Sequence, residues 1–282
     1  MRYLNFAWLT AAAISLCGCA GPAMRAPVAS ASEVSVTIVA QVPLPGQLPS
    51  SAARAGDSQY IVVQTQGGNI FLGPILGAMR IAQKTREMAE KNRNSVFDIN
   101  PVPLAGTAFA NAGLPDRGTA ATYRVKPFVF VQHGSDGKFR MALVYQVESK
   151  GDEAWVGRYT YDLPTPIAEE RFASLDEAGR ATYRQELTQG AAALADLMKR
   201  DWAGQLPRQG RSVKVGTLWL WGERVGGMGI YTEPEELWFS AQVVGESGEF
   251  ITTRINAPLG PNLAYGVHLI RRDLIHTLKP AR

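Results

Sequence analysis

Tyr123-Arg-Val-Lys-Pro-Phe-Val-Phe-Val-Gln-His133-Gly-Ser-Asp-Gly137-Lys-Phe-Arg-Met-Ala-Leu-Val-Tyr-Gln-Val-Glu148 is the stretch on which the fold turns. Two runs rich in β-branched and aromatic residues, Tyr123–Val131 and Phe139–Glu148, flank a polar turn with Asp136-Gly137. An Asp-Gly pair between such runs is a strong hairpin signal, because both central residues of the favoured tight turn need positive φ. Ala154–Tyr161, with Trp155, Tyr159 and Tyr161, predicts a third strand beside them, closed by Pro164 and Pro166. The three together predict an antiparallel meander.

Downstream of the meander, Ser174-Leu-Asp-Glu177 has the form of a capping box. Tyr183, Leu187, Ala191, Leu194 and Met198 then recur at helical spacing, and Trp202-Ala-Gly204 ends the run. Gly179 and Gly190 lie inside this helix, each weakening it by about 1 kcal/mol relative to Ala. Upstream, Val34–Val42 and Gln59–Gln64 read as strands, ended by Pro43, Pro45 and Pro49 and by Gly67-Gly68. Asn69–Asn92 predicts a long helix, with Pro74 marking its start or a kink. Residues 100–118 read as a Pro/Gly-rich connection.

Pro207–Arg211 is a break in composition. Beyond it come Val213–Trp221 as β, then Leu237–Val244 and Glu249–Asn256 paired across Gly245–Gly248. Leu263, Val267, Ile270, Leu274 and Leu278 at helical spacing predict a closing helix. The expected class is α+β, antiparallel β meanders packed with two to three helices. The expected division is residues 1–18 a signal peptide, 19–32 a lipidated tether, 33–206 an α+β domain, and 207–282 a smaller β-rich region with a C-terminal helix, packed on the first.

The address comes from Leu16-Cys17-Gly18-Cys19, at the end of an apolar run from Leu4 that is too short to span a bilayer. This string resembles the lipobox of bacterial lipoproteins. The resemblance implies diacylglycerol on the Cys19 sulfur, cleavage before it and acylation of the new amino group. Ala20 follows the cysteine where an aspartate would favour inner-membrane retention, which resembles the outer-membrane class. The plainer reading is an ordinary cleaved signal. With both cysteines of the chain in this string, lipidation leaves Cys19 as the one mature cysteine and no disulfide framework. A Gly/Pro/Ala/Ser run to Ser32 then serves as a tether of about 45 Å at most, at ~3.5 Å per residue. In element order, and in its Trp155-Val-Gly-Arg-Tyr159 strand, Tyr123–Gly204 also resembles the strand-strand-strand-helix half of periplasmic envelope-accessory lipoproteins.

Chemistry is sparse. The net charge of +4 is modest and spread along the chain, which with an envelope address argues against nucleic acid as a partner. The three histidines, His133, His268 and His276, form no recognised metal motif. A His133/Asp136 metal site competes with a simple polar turn. The neighbouring carboxylates Glu169-Glu170 and Glu233-Pro-Glu235-Glu236 read as solvated charge before they read as an acid/base pair. No catalytic residue, metal ligand or cofactor is assigned. Arg271, Arg272, His276, Lys279 and Arg282 make the C-terminus basic, as expected of the solvated face of a last helix.

Two surfaces stand out as candidates. The start of the first helix is apolar almost all round (Ile70, Phe71, Leu72, Gly73, Ile75, Leu76, Gly77, Met79), and Gly73/Gly77 allow close contact with another element. That element is either the domain's own sheet or a partner protein. Trp219 and Trp221 alternate onto one strand face with Trp238 on the next strand, either as core or as a platform for sugar rings. The expected function is therefore a membrane-anchored, periplasm-facing, non-enzymatic lipoprotein of the outer membrane. It binds membrane lipid through acylated Cys19 and a protein partner in envelope assembly or transport. A cell-wall polysaccharide binder is the alternative and a hydrolase the third reading.

Overall fold

A computed structural model describes residues 23–24, 34–48, 52–64, 73–92, 96–134, 136–149, 155–217, 237–255 and 266–281. In chain order the strands and helices are β1 (Ala23–Met24), β2 (Val36–Ile38), β3 (Ala53–Arg54), β4 (Tyr60–Gln64), α1 (Gly73–Lys91) and α2 (Pro101–Asn111). The meander follows as β5 (Tyr123–His133), β6 (Lys138–Ser149) and β7 (Trp155–Asp162). Then come β8 (Ile167–Ala168), α3 (Glu169–Phe172) and α4 (Glu177–Trp202). The last strands are β9 (Arg211–Thr217), β10 (Leu237–Glu246), β11 (Phe250–Ile255), β12 (Gly266–Arg271) and β13 (Ile275–Pro280).

The predicted meander forms in register, with Val129 opposite Leu143 and Leu143 opposite Tyr161. The class is α+β, but the sheet is mixed. Its order is β13-β9-β10-β11-β12-β7-β6-β5-β4-β3, with β1 beside β7, β2 beside β5 and β8 beside β6. Parallel pairs β4/β5 and β12/β7 interrupt the antiparallel runs. Parallel neighbours need a long crossover: α1 and α2 lie between β4 and β5 in the chain, and α3 and α4 with four strands, β8–β11, between β7 and β12. The described strands beyond residue 207, β9–β13, thus join the rest through backbone pairing within one sheet.

Three local expectations are corrected. The closing helix is instead β12, a short 3-10 turn (Arg272–Leu274) and β13. Val267 and Leu269 pack with the helices while Ile270 joins the core on the other face, and a strand buried on both sides mimics helical spacing over so short a run. The connection after residue 100 contains α2: Asn100 caps Val102 N–H at 2.9 Å, and Pro101 and Pro103 sit in the first turn, where few backbone donors have partners to lose. The cap of α4 is Asp176, whose carboxylate accepts from Gly179 N–H at 2.8 Å, two residues beyond the predicted Ser174.

The sheet has two unlike faces. On one, Val129, Val131, Leu143, Tyr145, Tyr159 and Tyr161 form a core with α2 and α4, which bury Phe109, Tyr183, Leu187 and Leu194. Gly190 is what brings α4 so close: a Cβ there would lie 2.6 Å from the Tyr161 ring. On the other face two apolar clusters, Val213/Val215/Ile251/Ile270 and Ile61/Phe128/Phe130/Val144, border a buried polar group. Arg158 is its largest member at 1% exposure. Its Nε donates to Gln146 at 3.0 Å, and its terminal nitrogen donates to the Gln47 carbonyl. Gln146 in turn donates to Gln47 Oε1 at 2.9 Å and Glu148 at 3.0 Å, and Lys126 donates to Glu148 at 2.7 Å. This network clips the turn at Pro45–Gln47 onto the sheet.

Candidate functional site

Of the first-helix candidates, Ile70, Phe71 and Leu72 lie outside the described residues, as do the side chains of Gly73, Ile75, Leu76 and Gly77, whose backbone is in α1. Met79 is 63% exposed, one of two large apolar side chains so open among the described residues, the other being Leu44. The inner stripe of α1 is set by Thr85 and Ala89, both buried. At about 100° per residue, Met79 lies about 120° away from Thr85, off the side that meets the protein. Arg80 beside it is exposed.

Cys19, Trp219 and Trp221 also lie outside the described residues. Trp238 is in β10, its backbone opposite Gly216, and its side chain is not among those described. Residues 23–24 of the expected free tether are instead paired in parallel with Trp155 and Val156 of β7. β7 has room for them because β12 takes only Tyr159–Tyr161 on that edge. Two residues of the basic C-terminus are held in ion pairs: Arg271 with Asp273 at 2.7 Å, and Arg272 with Glu246 at 2.8 Å, beside Arg211 at 3.0 Å.

A cleft of about 300 Å³ opens between β8 and the first turns of α4, with Ile167, Leu175 and Tyr183 as walls and Lys138 and Arg171 at the rim. That is the low end of the range for small-ligand sites. Glu186, 8% exposed, is the carboxyl in this lining. It accepts from the Thr165 hydroxyl and, at 3.4 Å, from Thr165 N–H. Burial pushes its pKa above the ordinary glutamate value, and the Thr165 hydrogen bonds partly oppose that. A lone carboxyl of this kind can hold a proton or a cation. A pair of carboxyls across a groove, as glycoside cleavage needs, is not present in the lining. Glu186 belongs to no sequence motif, but it falls between Tyr183 and Leu187, on the stripe that helical spacing assigns to the core.

Near this cleft, His133 Nε2 lies 3.1 Å from a Glu169 oxygen, and Lys91 is 4.0 Å from the same carboxylate. Burial lowers the His133 pKa, with Glu169 pulling the other way. Asp136 faces Arg140 through bonds of 2.6 and 2.9 Å, which hold its carboxyl below the usual range. His133 and Asp136 are thus each engaged with a different partner. Among the described residues no three His, Cys, Asp or Glu side chains converge as a metal site. Glu169 belongs to the His133 pair, and Glu233, Glu235 and Glu236 lie outside the described residues.

A second buried ion pair joins the C-terminal strands to the helical layer. Asp201 at the end of α4 receives Arg254 of β11 at 2.6 Å and the Tyr159 hydroxyl at 2.7 Å. Both charged side chains are less than 10% exposed, so the contact is a structural clamp. Among known proteins, the chain matches no family model, no curated sequence and no solved structure.

Proposed function

We propose that this chain is a lipid-anchored lipoprotein of the bacterial cell envelope, held at the outer membrane facing the periplasm, that binds a protein partner without catalysing a reaction. Envelope assembly or transport is the setting that its lipobox and module-like element order suggest. The observation that carries the partner reading is Met79: a flexible apolar side chain, exposed on the outer side of a helix that packs on the sheet with its other side. Methionine suits such a surface because its unbranched, polarisable chain adapts to a partner. Among the described residues no helix is long and apolar enough to cross a membrane, and in this reading Cys19 supplies the anchor. Three acyl chains hold firmly where one would exchange, at about 0.8 kcal/mol per buried methylene.

A photo-crosslinking residue in place of Met79, in cells, should trap a discrete partner, whereas the same residue in place of the buried Ala89 should trap none. Met79→Glu should lose the partner while the protein stays folded. If Met79 traps nothing and Met79→Glu leaves co-purifying proteins unchanged, the partner reading fails. Cys19→Ala should release the protein from membranes or leave the unprocessed precursor; mature Cys19→Ala protein that stays membrane-bound would refute the anchor.

A further inference from the structure

The sequence allows about 45 Å of free tether after Cys19, at ~3.5 Å per residue. The pairing of β1 with β7 removes most of it. Four residue steps separate Cys19 from Ala23, so a lipidated Cys19 lies at most about 14 Å from the first paired residue. Ala23 lies opposite Trp155, at the end of the sheet where β5 and β7 begin and β6 finishes. The anchor is therefore tied to one end of the domain.

The side chains at that end suit a membrane interface. Trp155 is half-buried there, its ring centroid 5.4 Å from that of Tyr123, while Tyr123 and Trp202 belong to the core behind it. A half-buried tryptophan favours the headgroup level, where one part of the ring is dry and the other wet. Arg117 and Lys199 are exposed near the same end: Arg117 N–H bonds the Val36 carbonyl at 2.8 Å, and Lys199 lies in the last turn of α4. Charge does not decide the orientation, because the connection from Ser149 to Trp155 also carries Asp152 and Glu153. The deciding feature is the short reach from the acylated residue. At the other end of β5, His133 lies 10 residues beyond Tyr123, about 33 Å away at ~3.3 Å per strand residue, beside β8 and the Glu186 cleft.

We infer that the Trp155 end of the sheet lies against the bilayer and that the β1–β7 pairing fixes the domain there, with the cleft turned towards the periplasm. This inference rests on the lipidation of Cys19 proposed above. With Cys19 acylated, no other cysteine is left in the mature chain, so one introduced cysteine takes one fluorophore. Lipidated Thr119→Cys and Lys138→Cys proteins, purified from cells and placed in phosphatidylcholine vesicles with a headgroup quencher, should differ. The label at 119 should be quenched at least threefold more than that at 138. Met24→Pro, which disrupts β1, should bring the two labels to similar values while the protein stays on the vesicles. Equal quenching of the two labels, or no effect of Met24→Pro, on protein shown by mass spectrometry to carry lipid on Cys19, overturns the orientation and leaves the lipoprotein reading standing. An N-terminal peptide without lipid overturns both.

Discussion

The two faces of one sheet are built from alternate residues of the same strands, yet they are unlike. Across β5, β6 and β7 the helix-covered face is apolar or aromatic, and α2 and α4 close it, with the Arg254–Asp201 ion pair at its β11 border. The opposite face carries Arg158, Gln146, Thr160 and His268, all at most 2% exposed, between two apolar clusters. The difference shows how a strand tolerates a buried charge. Arg158 reaches a backbone carbonyl of the Pro45–Gln47 turn and a side chain that is itself bonded onward, so its donors are used inside the protein. An apolar face is held by area and shape, a polar one by each partner being in place.

Mutation can break that comparison. Arg158→Ala should cost about 4 kcal/mol, because it strips partners from Gln146 and the Gln47 carbonyl and leaves a cavity. Leu194→Ala on the helix side should cost about 3 kcal/mol through transfer and cavity alone. Urea unfolding of both would read the order, and a smaller loss for Arg158→Ala would mean that the polar face is not a network under tension of partnership. Gly190→Ala sharpens the helix-side half: about 2 kcal/mol lost through overpacking on Tyr161, with partial recovery in the Gly190→Ala/Tyr161→Leu double variant. No recovery would place the cost elsewhere.

The smallest expected effect is a pH slope. The folded-state pKa of Glu186 is raised by burial, so between the unfolded value and that raised value the folded state holds the extra proton. Stability should therefore fall as pH rises from about 4.5 through that window, and stay lower above it. His133, lowered by burial, gives the opposite sign, its share of stability being lost as pH falls below about 6.5. The wild-type stability minus that of Glu186→Gln isolates the glutamate. A difference independent of pH from 4 to 8 would show that Glu186 is solvated in the folded state.

Much of this fold is legible in the chain without its coordinates, because the signals are local. Asp136-Gly137 and the runs beside it specify a hairpin whatever surrounds them, and so do Gly245–Gly248 and their flanks. The apolar spacing from Tyr183 to Met198 specifies α4 and the side it buries. Leu16-Cys17-Gly18-Cys19 bears its proposed address in four residues. What failed was decided at longer range. Val267–Ile270 satisfies both a helical and a strand period, and becomes β12 because the exposed edge of β7 takes it in parallel. Asn100–Pro103 starts a helix that stands because Phe109 finds Tyr145, at 5.4 Å between ring centroids.

The candidate sites divide in the same way. Apolar composition marked the start of α1, but only packing decided that Met79 faces outwards. Glu186 is an ordinary helix glutamate until Thr165 and Ile167 close over it. By itself the sequence determined the strands of the meander, the long helix and the proposed site of acylation, since each depends on neighbours a few residues away. The tertiary structure alone decided that Arg158 is buried, that β9–β13 extend the same sheet and that Ala23 is pinned beside Trp155, since those depend on partners tens to more than a hundred residues distant.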